Sequence, residues 1–467
     1  MREGEERTSE RDMNDITLRR ALLVCVLAGS LALALALAAG AGLAEAKSSV
    51  VGPGESIQKA VNAADPGDTI VVRGVHREDV VIRKNGIKLR GENAVIEAPT
   101  RAKADSPCLA ICVFGDVDFE TGELTGPRVR DVSVSGFTFR GFKDKEAGVI
   151  DVLGARNTNV EGNRIKGNAA KGIVFGRSVN TTIANNHLIG SPEPTEPGIL
   201  VSFSSHTKIV NNVVRSYDVG IILEEGNTNT TVAGNDLIGK SFGVILIDST
   251  GTKILSNDIT DSTFSGMLIL GSTGTKIVSN DIRRPGEAGI AIFGPERASN
   301  AGKVVGNRIS GGAWGILLQL AHGGTFAGNT IRNNCAGMMI ESFGFDEPVV
   351  GLEVKGNTVE NNTRSCRAAK LDRNFSGIGI ALFSTTDMEV TGNQISGNIP
   401  SGPTPVSGGV VVADNPYDDT APKPTNNSVT GNHFGPNKPD IFWDKSGSGN
   451  RFLGNLCDSS VPSSLCN

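Results

Sequence analysis

The sequence predicts an all-β chain wound as a right-handed, single-stranded parallel β-helix of about 12–13 coils, with a short N-terminal capping helix. Three observations predict it. An Asn flanked by apolar residues recurs at Asn163, Asn186, Asn212, Asn235, Asn257, Asn280, Asn307, Asn329, Asn357, Asn393, Asn432 and Asn455, most steps being 22 to 28 residues. A Gly-aliphatic-x-aliphatic motif interleaves with it, as in "GIVF" from Gly172, "GIIL" from Gly220 and "GMLI" from Gly266. The 467 residues include 59 Gly but only 5% aromatics, a composition of many turns and short strands. A period of this length means one supersecondary unit stacked on itself. Its segments alternate with period two and show no helical period, so the unit is made of strands. A leucine-rich repeat would need a Leu ladder, whereas this ladder is Ile/Val with Asn. At ~4.8 Å per coil the rod is roughly 60 Å long.

The elements follow in chain order. Residues 1–46 read as a signal peptide: Arg19 and Arg20 precede a long apolar run that ends in Ala44-Glu45-Ala46. An uncleaved membrane anchor is the competing reading, because the run approaches spanning length. Residues 47–128 hold the cap and first coils. There, "SIQKAVNAADPGDTIVV" spaces Ile57, Ala60, Val61 and Ala64 as on a helix, which would cover the open edge of the first coil. Residues 129–456 form the parallel β-helix, and 457–467 a tail pinned by a disulfide. Six cysteines follow the apolar run, an even number that suits an exported chain. Neighbours in sequence would pair Cys108 with Cys112, Cys335 with Cys366 and Cys457 with Cys466, one of fifteen arrangements.

Within a coil, alternation turns Ile254 and Ile259 inward with Asn257 at the bend. Stacked Asn side chains can bond each other and the turn backbone, and Asn tolerates left-handed corners. The Asn column is therefore structural.

Stacking also lines up residues that can carry chemistry. The fifth position after each motif Gly runs Arg177, Phe203, Glu225, Asp248, Gly271. Glu225 and Asp248 then sit on adjacent coils, with Glu224 beside them and Arg177 two coils away. Carboxylates that close either share a cation, such as Ca²⁺, or divide into an acid and a nucleophile for glycoside cleavage. Two solvated turn carboxylates are the plainer alternative. The position after each Asn stacks Asp236, Asp258 and Asp281, a candidate metal ladder or a charged stripe offset by nearby cations. Lys208, Lys253, Lys276 and Lys303 form a further column on another face. The outward position of the Gly motif is apolar from Val174 through Leu200, Ile222, Ile245 and Leu268 to Met339, Ala381 and Val411. Such a stripe is either a protein-partner surface or is covered by the long C-terminal insertions. Those insertions gather Arg364, Arg367, Lys370, Asp372, Arg373, Asp414, Asp418 and Asp419.

"GESIQKAVNAADPGDTIVV" followed by these repeats resembles the pectate-lyase-like superfamily, and within it the carbohydrate-binding and sugar-hydrolase, NosD-type β-helix proteins of bacteria. The resemblance covers nearly all of residues 50–455. It implies a polysaccharide or cell-surface glycan as partner, bound by or processed on the β-helix as lyase or glycoside hydrolase. The paired aspartates and "GHG" of polygalacturonases and the "DPHD" of alginate epimerases are missing. A non-catalytic adhesive rod is the alternative, and NosD-like metal handling a third. A net charge of −5, from 45 basic and 50 acidic residues, gives no footprint for nucleic acid. The membrane enters only through the leader, if it is retained.

Overall fold

The computed structural model describes residues 46–99, 108–145, 147–193, 195–294, 301–342, 347–368 and 373–466. The leader expected over residues 1–46 falls almost entirely outside them. The described residues are mostly short strands in one parallel sheet that winds on itself. The one helix among them, α1, is Ile57–Ala63. Ser56 caps it, accepting the Lys59 N–H, and the Glu78 carboxylate accepts the Ile57 N–H at 2.6 Å. Ile57 and Val61 are buried, so the helix covers the first coil as the spacing requires.

Each coil presents three faces, named here by their outward residues. The lysine face holds Lys253–Leu255 and Lys276–Val278, the aspartate face Asp258–Thr260 and Asp281–Arg283, and the glycine face Met267–Leu270 and Ala288–Phe293. Register on the lysine face holds one repeat apart, Lys253 against Lys276 and Lys276 against Lys303. The same ladder begins before the first motif Asn, at Ser48, Thr69, Lys88 and Ser133, so the winding extends into coils that lack the motif. Inward residues such as Ile254, Ile259, Ile277 and Ile282 are buried in a single core that runs from Val51 to Leu465.

The Asn column closes the corner between the lysine and aspartate faces. Asn257 donates its backbone N–H and its Nδ2 to Asn280 Oδ1, each at 2.9 Å, and Nδ2 also reaches the Val232 carbonyl. Asn280 repeats this toward Asn307. Every buried polar group of the corner thereby gains a partner. The left-handed residue is not the Asn, however, but the one before it: Ser256 at φ 51 and Ser279 at φ 57. Asn is selected here for its amide, not for its backbone freedom. A second buried ladder, Asn334–Asn362–Asn398, closes a different corner in the last coils.

All three disulfides join sequence neighbours: Cys108–Cys112, Cys335–Cys366 and Cys457–Cys466. The second ties an insertion to the coil below it. There, Cys366–Ala368 and Arg373–Phe375 pair antiparallel.

Candidate functional site

The glycine-face strand ends at a corner where Arg177, Phe203, Glu225 and Asp248 all take left-handed φ, between 45 and 49. The column expected from the offsets is therefore real at the backbone. The Phe203 N–H bonds the Glu225 carbonyl at 2.8 Å, and the Gly226 N–H the Asp248 carbonyl at 3.1 Å. A non-glycine residue is uncommon in this conformation, yet four large side chains occupy it in succession. At the next coil Gly271 follows, where any Cβ would strike Asp248 Oδ1. The bare glycine leaves the Asp248 carboxylate room to lie over it.

The side chains at this corner form two contacts. The Arg177 guanidinium lies 4.6 Å from the centre of the Phe203 ring, a cation–π arrangement, and approaches Glu123 at 3.9 Å. Phe203 remains 46% exposed, and a Cβ at Gly226 on the following coil would lie 3.5 Å from its ring. Glu224 stands half-buried at the end of the strand that leads into Glu225. Burial pushes its carboxyl above the usual range, the Glu225 charge pushes it further, and Lys171 opposes both. Glu225 and Asp248 are exposed. The geometry thus joins Arg177 to Phe203 and Glu224 to Glu225, with Asp248 one coil further along.

Asp236, Asp258 and Asp281 do stack in register. Their charge is met by arginines of the same face. Arg215 reaches Asp236 at 2.6 Å, and Arg283 bridges Asp258 at 2.6 Å and Asp281 at 2.8 Å. Among the described residues no group of three or more His, Cys, Asp or Glu is placed to hold a metal ion. The arginines supply the positive charge expected of a Ca²⁺ ion. Sequence offsets missed them because Arg283 sits two residues beyond Asp281, on the same face but in the next column.

The outward apolar column also holds register, from Val174 through Leu200, Ile222, Ile245, Leu268, Ala291, Leu317, Met339 and Ala381 to Val411. Its C-terminal half is covered: Phe375, from the tied insertion, stacks on Trp314 at 5.1 Å, and Tyr417 meets Phe383 edge-on. In its earlier half Val174, Leu200, Ile222 and Leu268 are half-exposed and Ile245 is buried, and there Phe242 and the exposed Phe264 stack at 5.5 Å. Asp414 approaches Lys423, Arg364 bonds the Gly311 carbonyl, and Lys370 and Asp372 lie outside the described residues.

The family described as right handed beta helix region matches residues 66–237 and 242–415. The chain belongs to this family. No curated protein matches it. Among solved structures, it is similar to ORF18 of Geobacillus virus E2, at 12% identity and TM-score 0.40, covering 65% of this chain and 53% of that one. It thus spans about half of that viral protein. It is also similar to a DFA-IIIase of Arthrobacter chlorophenolicus A6 solved without its lid in complex with GF2, at 13% identity and TM-score 0.44, covering 67% and 90%. The third is PfbA, a surface adhesin of Streptococcus pneumoniae, at 14% identity and TM-score 0.39, covering 86% and 87%. These likenesses concern the fold alone.

One buried acid of this β-helix escaped the sequence reading. Asp151 continues the apolar column, between Cys112 and Val174. Burial pushes its carboxyl up to about 7, against a bond from the Gly148 N–H at 3.0 Å and the nearby Lys171 charge. The repeat motif does not reach it, because Val149 stands where later coils have the motif Gly. Counting the column one coil upstream would have found it.

Proposed function

We infer that the protein is an exported β-helix that binds, and processes, a polysaccharide at the corner formed by Arg177, Phe203, Glu224, Glu225 and Asp248. The observation that carries this reading is the half-exposed Phe203 side chain, backed by Arg177 and followed by carboxylates on the next two coils. An aromatic face takes the C–H surface of a sugar, and carboxylates accept its hydroxyls. The corner advances ~4.8 Å per coil, close to the length of one sugar unit in a linear chain. Glu224, whose carboxyl burial pushes above the usual range, suits a proton donor, with Glu225 or Asp248 as the second carboxyl group of the pair. The three disulfides support an oxidising, extracytoplasmic location. No step requires Ca²⁺.

Glycan-array binding, followed by assay of reducing ends released from the polysaccharides that bind, tests the reading. Phe203→Ala is expected to weaken binding about tenfold, equivalent to about 1.4 kcal/mol. Glu224→Gln is expected to lower turnover about 10²–10⁴-fold while binding persists. Wild-type behaviour in Phe203→Ala, Glu225→Gln and Asp248→Asn would remove the assignment.

A second reading is favoured by the half-exposed part of the apolar column: a non-catalytic adhesive rod that contacts protein through Leu200, Ile222 and Leu268. Solution size and hydrophobic-dye binding test it. A monomer that binds no dye rules out that surface.

A further inference from the structure

The lysine face carries a like-charge ladder whose members make no ion pair, although Lys303 feels the charge of Glu353 two coils on. Lys253, Lys276 and Lys303 stand in register on three consecutive coils, all exposed. Like charges directly opposite one another on paired strands are unfavourable. On the aspartate face the same problem is met by Arg215 and Arg283. Here none of the three lysines makes an ion pair or hydrogen bond among the described residues.

Two further features adjoin the ladder. Two residues along each strand, Leu255, Val278 and Val305 form a half-exposed aliphatic ledge parallel to the lysines. On the other side lies a cleft of about 220 Å³, lined by Lys276, Lys303 and Thr325 and by the backbone of Gly274 and Gly302. Both glycines take left-handed φ, 63 and 78, and a Cβ at Gly302 would strike the Thr275 carbonyl. The corner is therefore bare. Glu353 closes the far end, already held by Lys355 at 2.6 Å.

We propose that this face is a second binding site, for a linear anionic glycopolymer lying along the rod axis with its anionic oxygens on Lys253, Lys276 and Lys303. A cation every ~4.8 Å matches a polymer that repeats its charge with each unit. The cleft admits one anionic group beside Lys276 and Lys303, and the ledge receives the C–H face of the polymer backbone. Among the described residues the cleft and ledge carry no aromatic side chain on which a base could stack, which favours a glycopolymer over a nucleic acid. Carboxylate and phosphodiester polymers share this chemistry. The site lies on a different face from the Phe203 corner and does not depend on the function proposed there.

Titration calorimetry of the whole protein tests it, with an oligogalacturonate, a poly(glycerol phosphate), neutral dextran and inorganic phosphate as separate probes. At least one acidic polymer should bind, more weakly as salt rises. Each of Lys253→Gln, Lys276→Gln and Lys303→Gln should weaken it about two- to fivefold, and the triple variant should lose binding at least tenfold. Lys208→Gln, separated from the ladder by Thr231, should bind as wild type. Whichever acidic polymer binds identifies the anion. The proposal is overturned if neither binds, if the triple variant loses dextran binding as much as acidic-polymer binding, if inorganic phosphate binds as tightly as either polymer, or if the triple variant is unchanged.

Discussion

The two halves of the apolar column carry similar residues and meet different fates. Met339, Ala381 and Val411 are buried to 1% exposure or less, whereas Leu200, Ile222 and Leu268 are half-exposed. Strand sequence does not separate the two sets, since Leu, Ile, Val, Met and Ala are interchangeable at a flat outward position. The cover does. In the C-terminal half an insertion tied by Cys335–Cys366 brings Phe375 onto Trp314, and that packing makes a second core outside the winding. In a stacked fold, burial of an outward column is therefore decided by what the chain inserts between coils. An uncovered stretch of the same column is either a surface for a partner or an exposed liability.

The most direct way to erase the difference is Phe375→Ala. The ring is buried and stacked, so its loss should cost about 3–5 kcal/mol. Hydrogen exchange should then show Met339 and Ala381 opening as readily as Ile222. Unfolding in urea at the wild-type midpoint would mean that the insertion is not what stabilises this half.

Replacing both Cys335 and Cys366 by Ser tests the tether separately from the ring. The bond closes a sequence separation of 31, for which loop-closure entropy gives about 3–4 kcal/mol. The loss should concentrate in the insertion and the covered half, and the open half should exchange as before. A uniform loss along the rod would show instead that the two halves unfold as one unit.

The N-terminal end of the column offers a comparison through pH. Folded Asp151 keeps its proton up to about pH 7, whereas in the unfolded chain it releases it near its ordinary value of 3.8. Between those values the folded state binds more protons, so stability falls as pH rises. It is fully present below 3.8 and is lost as pH passes about 7. The full shift corresponds to about 4 kcal/mol, of which rearrangement around the charge should leave about 2. Asp151→Asn should flatten the dependence over that window and be the more stable protein at neutral pH. If the slope persists in the variant, another acid carries it.

These contrasts show what the amino-acid order could reveal. Period fixes register, and register fixes columns. The Glu225–Asp248 corner, the aspartate stack and the apolar stripe were all legible from offsets alone. What lay outside that logic was harder to read. Arg283 neutralises Asp258 from a neighbouring column, across the diagonal. Asp151 hides because Val149 breaks the motif. The Phe375–Trp314 stack depends on the path of an insertion that has no period.

The smallest expected effect lies in the open half. Ile222→Ser removes a half-exposed side chain that no insertion covers, so stability should change by only about 0.5 kcal/mol. Hydrophobic-dye binding should fall, and fall further in the double variant with Leu268→Ser, because the two residues flank Ile245 in one column. The same substitution at Val411, on the covered side, places an unpaired hydroxyl in a dry contact and should cost several times more. Equal costs at Ile222 and Val411 would mean that the open half is packed as tightly as the covered one. The adhesive reading would then lose its surface, and the Phe203 corner would stand as the principal contact for a partner.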